Sequence, residues 1–124
     1  MKKWLSKICE KFEDFFIWLF YGDHKMLYGR VEIPLKGEKW DLHVGDADPF
    51  PSVPHLHSAK DNRMKIDVYT GEVYLKKINI GKIKDKEFFD LWHDEKFLKD
   101  VIKARSFYLQ NYPNYRLPDP PDFL

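Results

Sequence analysis

Short runs of alternating apolar and polar residues fill the middle of the chain, and they restrict it to a sheet with one buried face. Three of these runs end at Leu35, Val44 and Val68, and each is followed by a glycine-containing turn or loop. Strands joined by short connections pair antiparallel. We therefore predict a small antiparallel sheet of about four to five strands over residues 27–83.

Helices are predicted on both sides of this sheet. Residues 2–21 repeat apolar side chains at helical spacing, and residues 85–111 divide into two helices that Asp85 and Asp94 can cap. Residues 112–124 are rich in proline, which excludes a helix and predicts an extended tail. The order of these elements predicts one α+β domain: an N-terminal helix, the antiparallel sheet, C-terminal helices packed on one face of it, and the proline-rich tail.

The charge and cysteine content restrict the partners and the cellular location that we expect for this chain. It has 21 basic and 20 acidic residues, a net charge of +1, and so no general attraction to nucleic acid or to an anionic membrane. Cys9 is the only cysteine, which rules out an internal disulfide and favours a cytoplasmic location. The sequence has neither a glycine-rich phosphate loop nor a Gly-x-Ser-x-Gly elbow. These patterns do not decide whether the chain is an enzyme, and we prefer a binding role to a catalytic one.

The end of the predicted N-terminal helix is apolar on every side over residues 15–21. Packing on one side cannot cover such a surface, so it must insert into the domain, meet another chain or lie on a membrane. Apolar surfaces are usually buried in a core or against a partner. We therefore predict a protein partner or a homo-oligomer through this helix, with a membrane surface as the less favoured alternative.

Two predicted strands carry histidines at positions that can share one face. Residues 45–54 form a loop stiffened by prolines, and the chain resumes with Pro54-His55-Leu56-His57. Residues two apart in a strand point the same way, so both histidines of this segment lie on the same face. Asp41 and His43 have the same spacing in an earlier strand. If the two strands are neighbours, three histidines and a carboxylate converge.

Such a cluster is compatible with several roles. His43, His55 and His57 are candidate ligands of zinc or another divalent metal. The same three residues are candidate catalytic groups of a small hydrolase or nuclease, with Asp41 and Asp67 in support. They also suit a pH-sensitive surface. In the structural alternative, the histidines only hydrogen-bond to loop backbone and hold the loop on the sheet.

Arg105 falls within the apolar arc of the longer C-terminal helix. An unpaired buried guanidinium costs several kcal/mol, so a partner is expected. Asp41, Asp67 or the carboxylate of a ligand could be that partner, and with Tyr69 these residues make up the predicted ligand-binding set. The alternative is a purely structural ion pair.

Lysines also cluster between the last strands and the helices. Basic rows can follow a phosphate backbone, but acidic residues are interspersed here, so a solvated surface explains the pattern better. Nucleic-acid binding is therefore the disfavoured alternative. The lysines concerned are Lys76, Lys77, Lys82, Lys84 and Lys86.

Part of the chain resembles a small bacterial family of uncharacterised domains that carry a Pro-His-Phe-His motif, a strand, a glycine turn and a helix. The resemblance covers residues 53–76 and rests on Pro54-His55-Leu56-His57, with Leu56 in place of the phenylalanine, and on the strand and turn around Gly71. Members of this family are found near toxin–antitoxin operons. The resemblance implies an accessory or antitoxin-like protein of a bacterial or phage conflict system. Together these features predict a small intracellular interaction or ligand-binding module.

Overall fold

The computed structural model describes residues 30–121. The predicted helix over residues 2–21 lies outside the described residues. The same holds for its predicted contact with a partner, a second copy or a membrane. The described part consists of a sheet followed by two helices, which fits the broad α+β class. Neither of these helices has the length and apolar character needed to cross a membrane.

Six antiparallel strands form one sheet, and their order in space is their order along the chain. They are β1 (Arg30–Leu35), β2 (Glu38–His43), β3 (His55–Ser58), β4 (Met64–Asp67), β5 (Glu72–Leu75) and β6 (Ile78–Lys82). The prediction of four to five strands was wrong, because the sheet has six. β3 contains only one apolar residue, Leu56, and so lacks an alternating apolar signal. β6 does alternate, with Ile78 and Ile80, although every one of its residues is exposed.

Two glycines make the tight connections of this sheet possible. Lys36 and Gly37 join β1 to β2 with positive φ angles of 54° and 71°, as in the type I′ turns that suit hairpins. Gly71 lies between β4 and β5 with a φ of 79°. A Cβ atom at this position would lie 3.1 Å from Ile83 and 3.2 Å from Phe88. Gly71 is therefore required both by its backbone conformation and by the close approach of its neighbours.

Two helices follow the sheet, α1 over Asp85–Trp92 and α2 over Glu95–Asn111. The predicted cap of the longer helix is confirmed, because the Asp94 carboxylate accepts a hydrogen bond from the Phe97 N–H at 2.8 Å. Arg105 lies on the buried side of α2, as its position in the apolar arc predicts.

The beginning of α1 differs from the prediction. Asp85 is the first helical residue, so Lys84 and not Asp85 is the N-cap. The carboxylate of Glu87 reaches back and accepts hydrogen bonds from the N–H of Lys84 at 3.0 Å and from the N–H of Lys36 at 2.6 Å. These two bonds outweigh its slight burial and lower the pKa of Glu87. Glu87 thereby fastens α1 to the turn between β1 and β2.

One face of the sheet packs against both helices and forms the core. Trp92 of α1 is completely buried, and its indole N–H donates to the Val68 carbonyl at 2.8 Å. Trp40 of β2 is buried as well, and its indole N–H donates to the Leu35 carbonyl at 2.9 Å. Each buried indole N–H therefore has a hydrogen-bond acceptor. The surrounding core includes Leu42, Leu56, Ile66, Val73, Phe97, Leu98, Val101 and Ile102.

The opposite face of the sheet is polar. The antiparallel register aligns Asp41, His57, Lys65 and Tyr74 in one row across β2 to β5. The loop over residues 45–54 lies on this row. Three of its side chains make the contacts: Asp46 with His57, Asp48 with Lys65, and Phe50 with Tyr74. The helices and the loop therefore cover opposite faces of the sheet.

Replacing Gly71 with alanine is expected to destabilise the domain more than the same change at Gly37. An alanine in the left-handed conformation costs about 1–2 kcal/mol at either position. At Gly71 the new methyl also presses on Ile83 and Phe88, whereas nothing lies within 4 Å of the corresponding point at Gly37. Urea unfolding should show a loss of about 2–3 kcal/mol for Gly71→Ala and about 1 kcal/mol for Gly37→Ala. Equal losses would contradict the close approach at Gly71.

Candidate functional site

Three histidines meet on the polar face where β2 and β3 run side by side. The ring of His43 stacks on that of His57, with 4.6 Å between the centroids and 18° between the planes. The ring of His55 lies beside His57 at the same centroid distance of 4.6 Å and is tilted by 54°. The two strands thus bring together all three histidines that the sequence singles out. Because they stand on paired strands, the backbone of the sheet holds the rings in place.

The carboxylate at the centre of the cluster belongs to Asp46. Its Oδ2 atom accepts a hydrogen bond from His57 Nε2 at 2.8 Å and lies 3.2 Å from His55 Nε2. The sequence predicts Asp41 at this place. Asp41 is buried and lies directly opposite His57 in the strand register, but the carboxylate bonded to the His57 ring is that of Asp46.

Asp46 was missed because it lies in the loop, where no repeating backbone geometry predicts the direction of a side chain. The one available signal is the pattern of two aspartates, Asp46 and Asp48, directly after the end of β2. Each accepts a hydrogen bond from a backbone N–H two residues later, from Asp48 at 2.9 Å and from Phe50 at 3.0 Å. These Asx turns give the loop its shape and present Asp46 to the histidines.

Asp46 is ionised in the folded protein. Its partial burial alone would raise the pKa, but the contacts with His55 and His57 and the bond from the Asp48 N–H together outweigh that effect. The pKa of this carboxyl therefore lies well below its usual range. A negative charge consequently stands among the three imidazoles at neutral pH.

The two ring nitrogens of His55 have different surroundings. Its Nδ1 atom lies 2.7 Å from the carbonyl oxygen of Ser52, and a carbonyl only accepts, so Nδ1 carries a proton. Its Nε2 atom is buried, lies 3.2 Å from Asp46 Oδ2 and has no hydrogen-bond partner among residues 30–121. In a neutral ring this nitrogen would turn a lone pair toward an ionised oxygen. A cation bound to the Asp46 carboxylate would remove that repulsion.

The same cluster contains the donor set of a divalent metal. One nitrogen each of His43 and His57 and one oxygen of Asp46 all lie within 4.8 Å of one another. In a tetrahedral zinc site with bonds of about 2.0–2.1 Å, neighbouring donors are about 3.3 Å apart. These donors can be farther apart than in a bound site, so the loop that carries Asp46 and the imidazole rings would have to move closer together around an ion. Two imidazoles and a carboxylate suit zinc and other divalent transition metals.

Asp67 lies next to the cluster but serves the following turn. It is opposite His55 in the strand register, and its carboxylate accepts the N–H of Tyr69 at 2.8 Å. Burial raises the pKa of Asp67 despite this and other hydrogen bonds. The Asp67 carboxylate is therefore engaged by the turn, and any support that it gives to the histidines, as predicted, would compete with these hydrogen bonds.

Tyr69 and Arg105 form a second polar cluster, which joins the loop to α2 and the tail. The Tyr69 hydroxyl donates to the carbonyl of Val53 at 2.6 Å and accepts from Arg105 Nη1 at 2.8 Å. The same Nη1 also donates to the carbonyl of Pro118 at 2.6 Å. Burial raises the pKa of Tyr69 to about 12. Where the sequence predicts Asp41, Asp67 or a ligand as the partner of Arg105, these bonds join it to a tyrosine and a tail carbonyl.

Comparisons with protein-family models, with curated proteins and with solved structures find no match to this chain. The resemblance to the bacterial Pro-His-Phe-His family stays a prediction.

Replacing Asp46 with asparagine is expected to flatten the dependence of stability on pH in acid. Below about pH 4 the unfolded chain takes up a proton at Asp46, while the folded chain does not, because its pKa is lowered. The stability that this charge contributes is therefore present above about pH 4 and is lost as the pH falls further. Urea unfolding between pH 6 and pH 3 should show a shallower decline for Asp46→Asn than for the unaltered protein.

The matched control is Asp90→Asn, because Asp90 is an exposed carboxylate that pairs with Lys86 on α1. This variant should keep the steep decline of the unaltered protein. If Asp46→Asn declined just as steeply, the ionised state of Asp46 in the cluster would be refuted.

Replacing Arg105 with methionine is expected to lower the free energy of unfolding by about 1–3 kcal/mol, since the Tyr69 hydroxyl and the Pro118 carbonyl lose a charged donor. Methionine retains most of the apolar stem, so the loss reports the hydrogen bonds. Arg116→Met, in the exposed part of the tail, should cost less than about 0.5 kcal/mol. Comparable losses in the two variants would show that the bonds of Arg105 do not hold the tail.

Proposed function

We propose that this protein is a small ligand-binding module whose ligand is a divalent transition-metal ion, with zinc the best fit to its donors. The proposed ligands are His43, Asp46 and His57. The observation that carries the proposal is the placement of their donor atoms within 4.8 Å of one another. Imidazole nitrogen and carboxylate oxygen are the ligands from which zinc sites are built, together with cysteine sulfur.

The backbone supports this proposal because it restricts the ligands before a metal binds. His43 and His57 stand on paired strands, and their parallel rings are stacked on one another. Asp46 approaches from the loop, whose shape is supported by the bond from the Asp48 N–H. Ligands that strand pairing and the hydrogen bonds of the loop already restrict lose little conformational freedom when a metal binds.

His55 adds a second argument for a cation. Its Nε2 atom is buried beside the Asp46 carboxylate and has no hydrogen bond with good geometry. A metal ion on the carboxylate would neutralise the charge that this nitrogen faces. The opposite ring nitrogen is bonded to the Ser52 carbonyl, an arrangement that fixes the ring as outer-sphere bonds do around metal ligands.

Burial favours a binding or structural ion over a catalytic one. The side chain of His57 is 14% exposed and that of Asp46 is 23% exposed, while the Nε2 atoms of His43 and His55 are buried. A catalytic zinc site keeps a position open to water and substrate. The three proposed ligands leave the fourth position of a tetrahedral ion to water. A partly buried ion held by them would fasten the loop over residues 45–54 onto the sheet, and metal affinity then adds directly to folding stability.

The direct test is a zinc titration of the full chain after treatment with a chelator. Zinc at 100 times its dissociation constant should stabilise the protein by about 2.7 kcal/mol, which appears as a higher melting temperature. Isothermal calorimetry should give one ion per chain. Co²⁺ should give the visible absorption of a four-coordinate site with nitrogen and oxygen ligands.

Two variants and one control identify the ligands. His57→Gln and Asp46→Asn should each abolish the zinc-dependent stabilisation. His93→Gln should retain it, because His93 is exposed directly after the end of α1, where its ring stacks on Phe89. A melting temperature that does not respond to zinc in the unaltered protein, or an equal response in His57→Gln, would refute the proposal.

A further inference from the structure

A surface cavity of about 450 Å³ lies beside the histidine cluster, on the same side of the sheet. Lys65 lines it and stands directly opposite His57 in the strand register. Three connections enclose it: the loop at Asp48 to Phe50, the turn between β3 and β4, and the turn between β5 and β6. Its volume falls within the range of about 300–1,000 Å³ that is typical of small-molecule sites.

The lining of this cavity is strongly basic. It contains Arg63, Lys65, Lys76 and Lys77 against one carboxylate, that of Asp48. Asp48 pairs with Lys65 at 2.6 Å. Outside the lining, Asp61 pairs with Arg63 at 2.8 Å. With these two basic side chains paired, the net positive charge of the cavity comes from Lys76 and Lys77.

Those two lysines, Lys76 and Lys77, lie exposed on the turn between β5 and β6. No carboxylate within residues 30–121 pairs with either side chain. The turn that carries them is fixed, because the Lys76 N–H donates to the Arg63 carbonyl at 2.9 Å and Lys76 has a φ of 55°. Two lysines without a paired carboxylate, carried by a turn of fixed backbone, attract an anion.

An aromatic side chain stands on the loop side of the same cavity. Phe50 lines it, and an edge contact with Tyr74 holds the ring, with 5.2 Å between the centroids and 74° between the planes. Asn62 adds an amide to the lining, with both donors and an acceptor. An acidic peptide could use the lysines but would have no need of the ring. A planar base with an attached phosphate uses both.

We infer that this cavity binds a nucleotide, with the phosphate at Lys76 and Lys77 and the base against Phe50. The nucleotide is either free or part of a single strand, since both present the same base and phosphate. This site is distinct from the proposed metal site. The two share only the loop, in which Asp46 faces the histidines and Phe50 faces the cavity.

The test measures the fluorescence anisotropy of a labelled dodecamer of thymidine with the full chain at 50 mM and 200 mM salt. The unaltered protein should bind, and its affinity should fall about sevenfold between the two salt concentrations if two phosphates are neutralised. AMP and unlabelled dodecamer are then added as competitors. Competition by AMP at a similar concentration per phosphate supports a free nucleotide, and competition by the dodecamer alone supports a strand.

Two variants separate the contribution of the base from that of the phosphate. Phe50→Leu should weaken binding about tenfold through the loss of stacking. Lys76→Asn with Lys77→Gln should weaken it about tenfold and remove most of the salt dependence. Asparagine is chosen at Lys76 because it tolerates a positive φ. The charge-matched control is Lys96→Gln with Lys99→Gln on α2, which packs on the opposite face of the sheet, and its affinity should stay within twofold.

Three results would overturn the inference. One is the absence of binding at 50 mM salt. Another is equal binding of a labelled dodecamer of glutamate, which would mark the surface as a site for acidic peptides. The third is an unchanged affinity in both the Phe50 variant and the double lysine variant. Circular dichroism and melting temperature confirm that each variant is folded, and the lysine variant tests the site even if Phe50→Leu proves unstable.

Discussion

The contact between the Asp46 carboxylate and the His57 ring is the interaction on which the polar half of the molecule depends. It joins an irregular loop to the middle strands of the sheet across 11 residues of sequence. Partial burial disfavours the charge of Asp46, and the surrounding imidazoles compensate for it. A charge in such a position is stable only while its partners remain in place. The loop is therefore held by side-chain chemistry, whereas the strands are held by backbone pairing.

Different interactions therefore stabilise the two faces of the sheet. The face under the helices is filled by aromatic and aliphatic side chains, and its two buried indoles each donate to a backbone carbonyl. Its stability comes from apolar burial, which depends little on pH or ions. The face under the loop is held by ion pairs, histidines and an aromatic contact. A metal ion, a proton or an anion therefore acts on the interactions of the face under the loop, and the packing under the helices does not depend on them.

The loop also connects the proposed metal ion to the inferred nucleotide. Asp46 and Phe50 are four residues apart, and the Asx turns at Asp46 and Asp48 fix the backbone between them. At its other end, Tyr69 holds the Val53 carbonyl and is itself held by Arg105. The two proposed sites are therefore joined by a segment that hydrogen bonds hold at both ends.

The sequence by itself determined the features that depend on short-range geometry. The period of two in a strand places His55 and His57 on one face, the alternation predicts the core side of β2 and β4, and Asp94 marks the beginning of α2. The alternation of Ile78 and Ile80 indicates β6 but not the exposure of all its residues, and no local pattern predicts the place of Asp46 at the centre of the cluster. The path of that loop was decided only by the tertiary structure, because it depends on partners distant in the sequence that become neighbours when the strands pair.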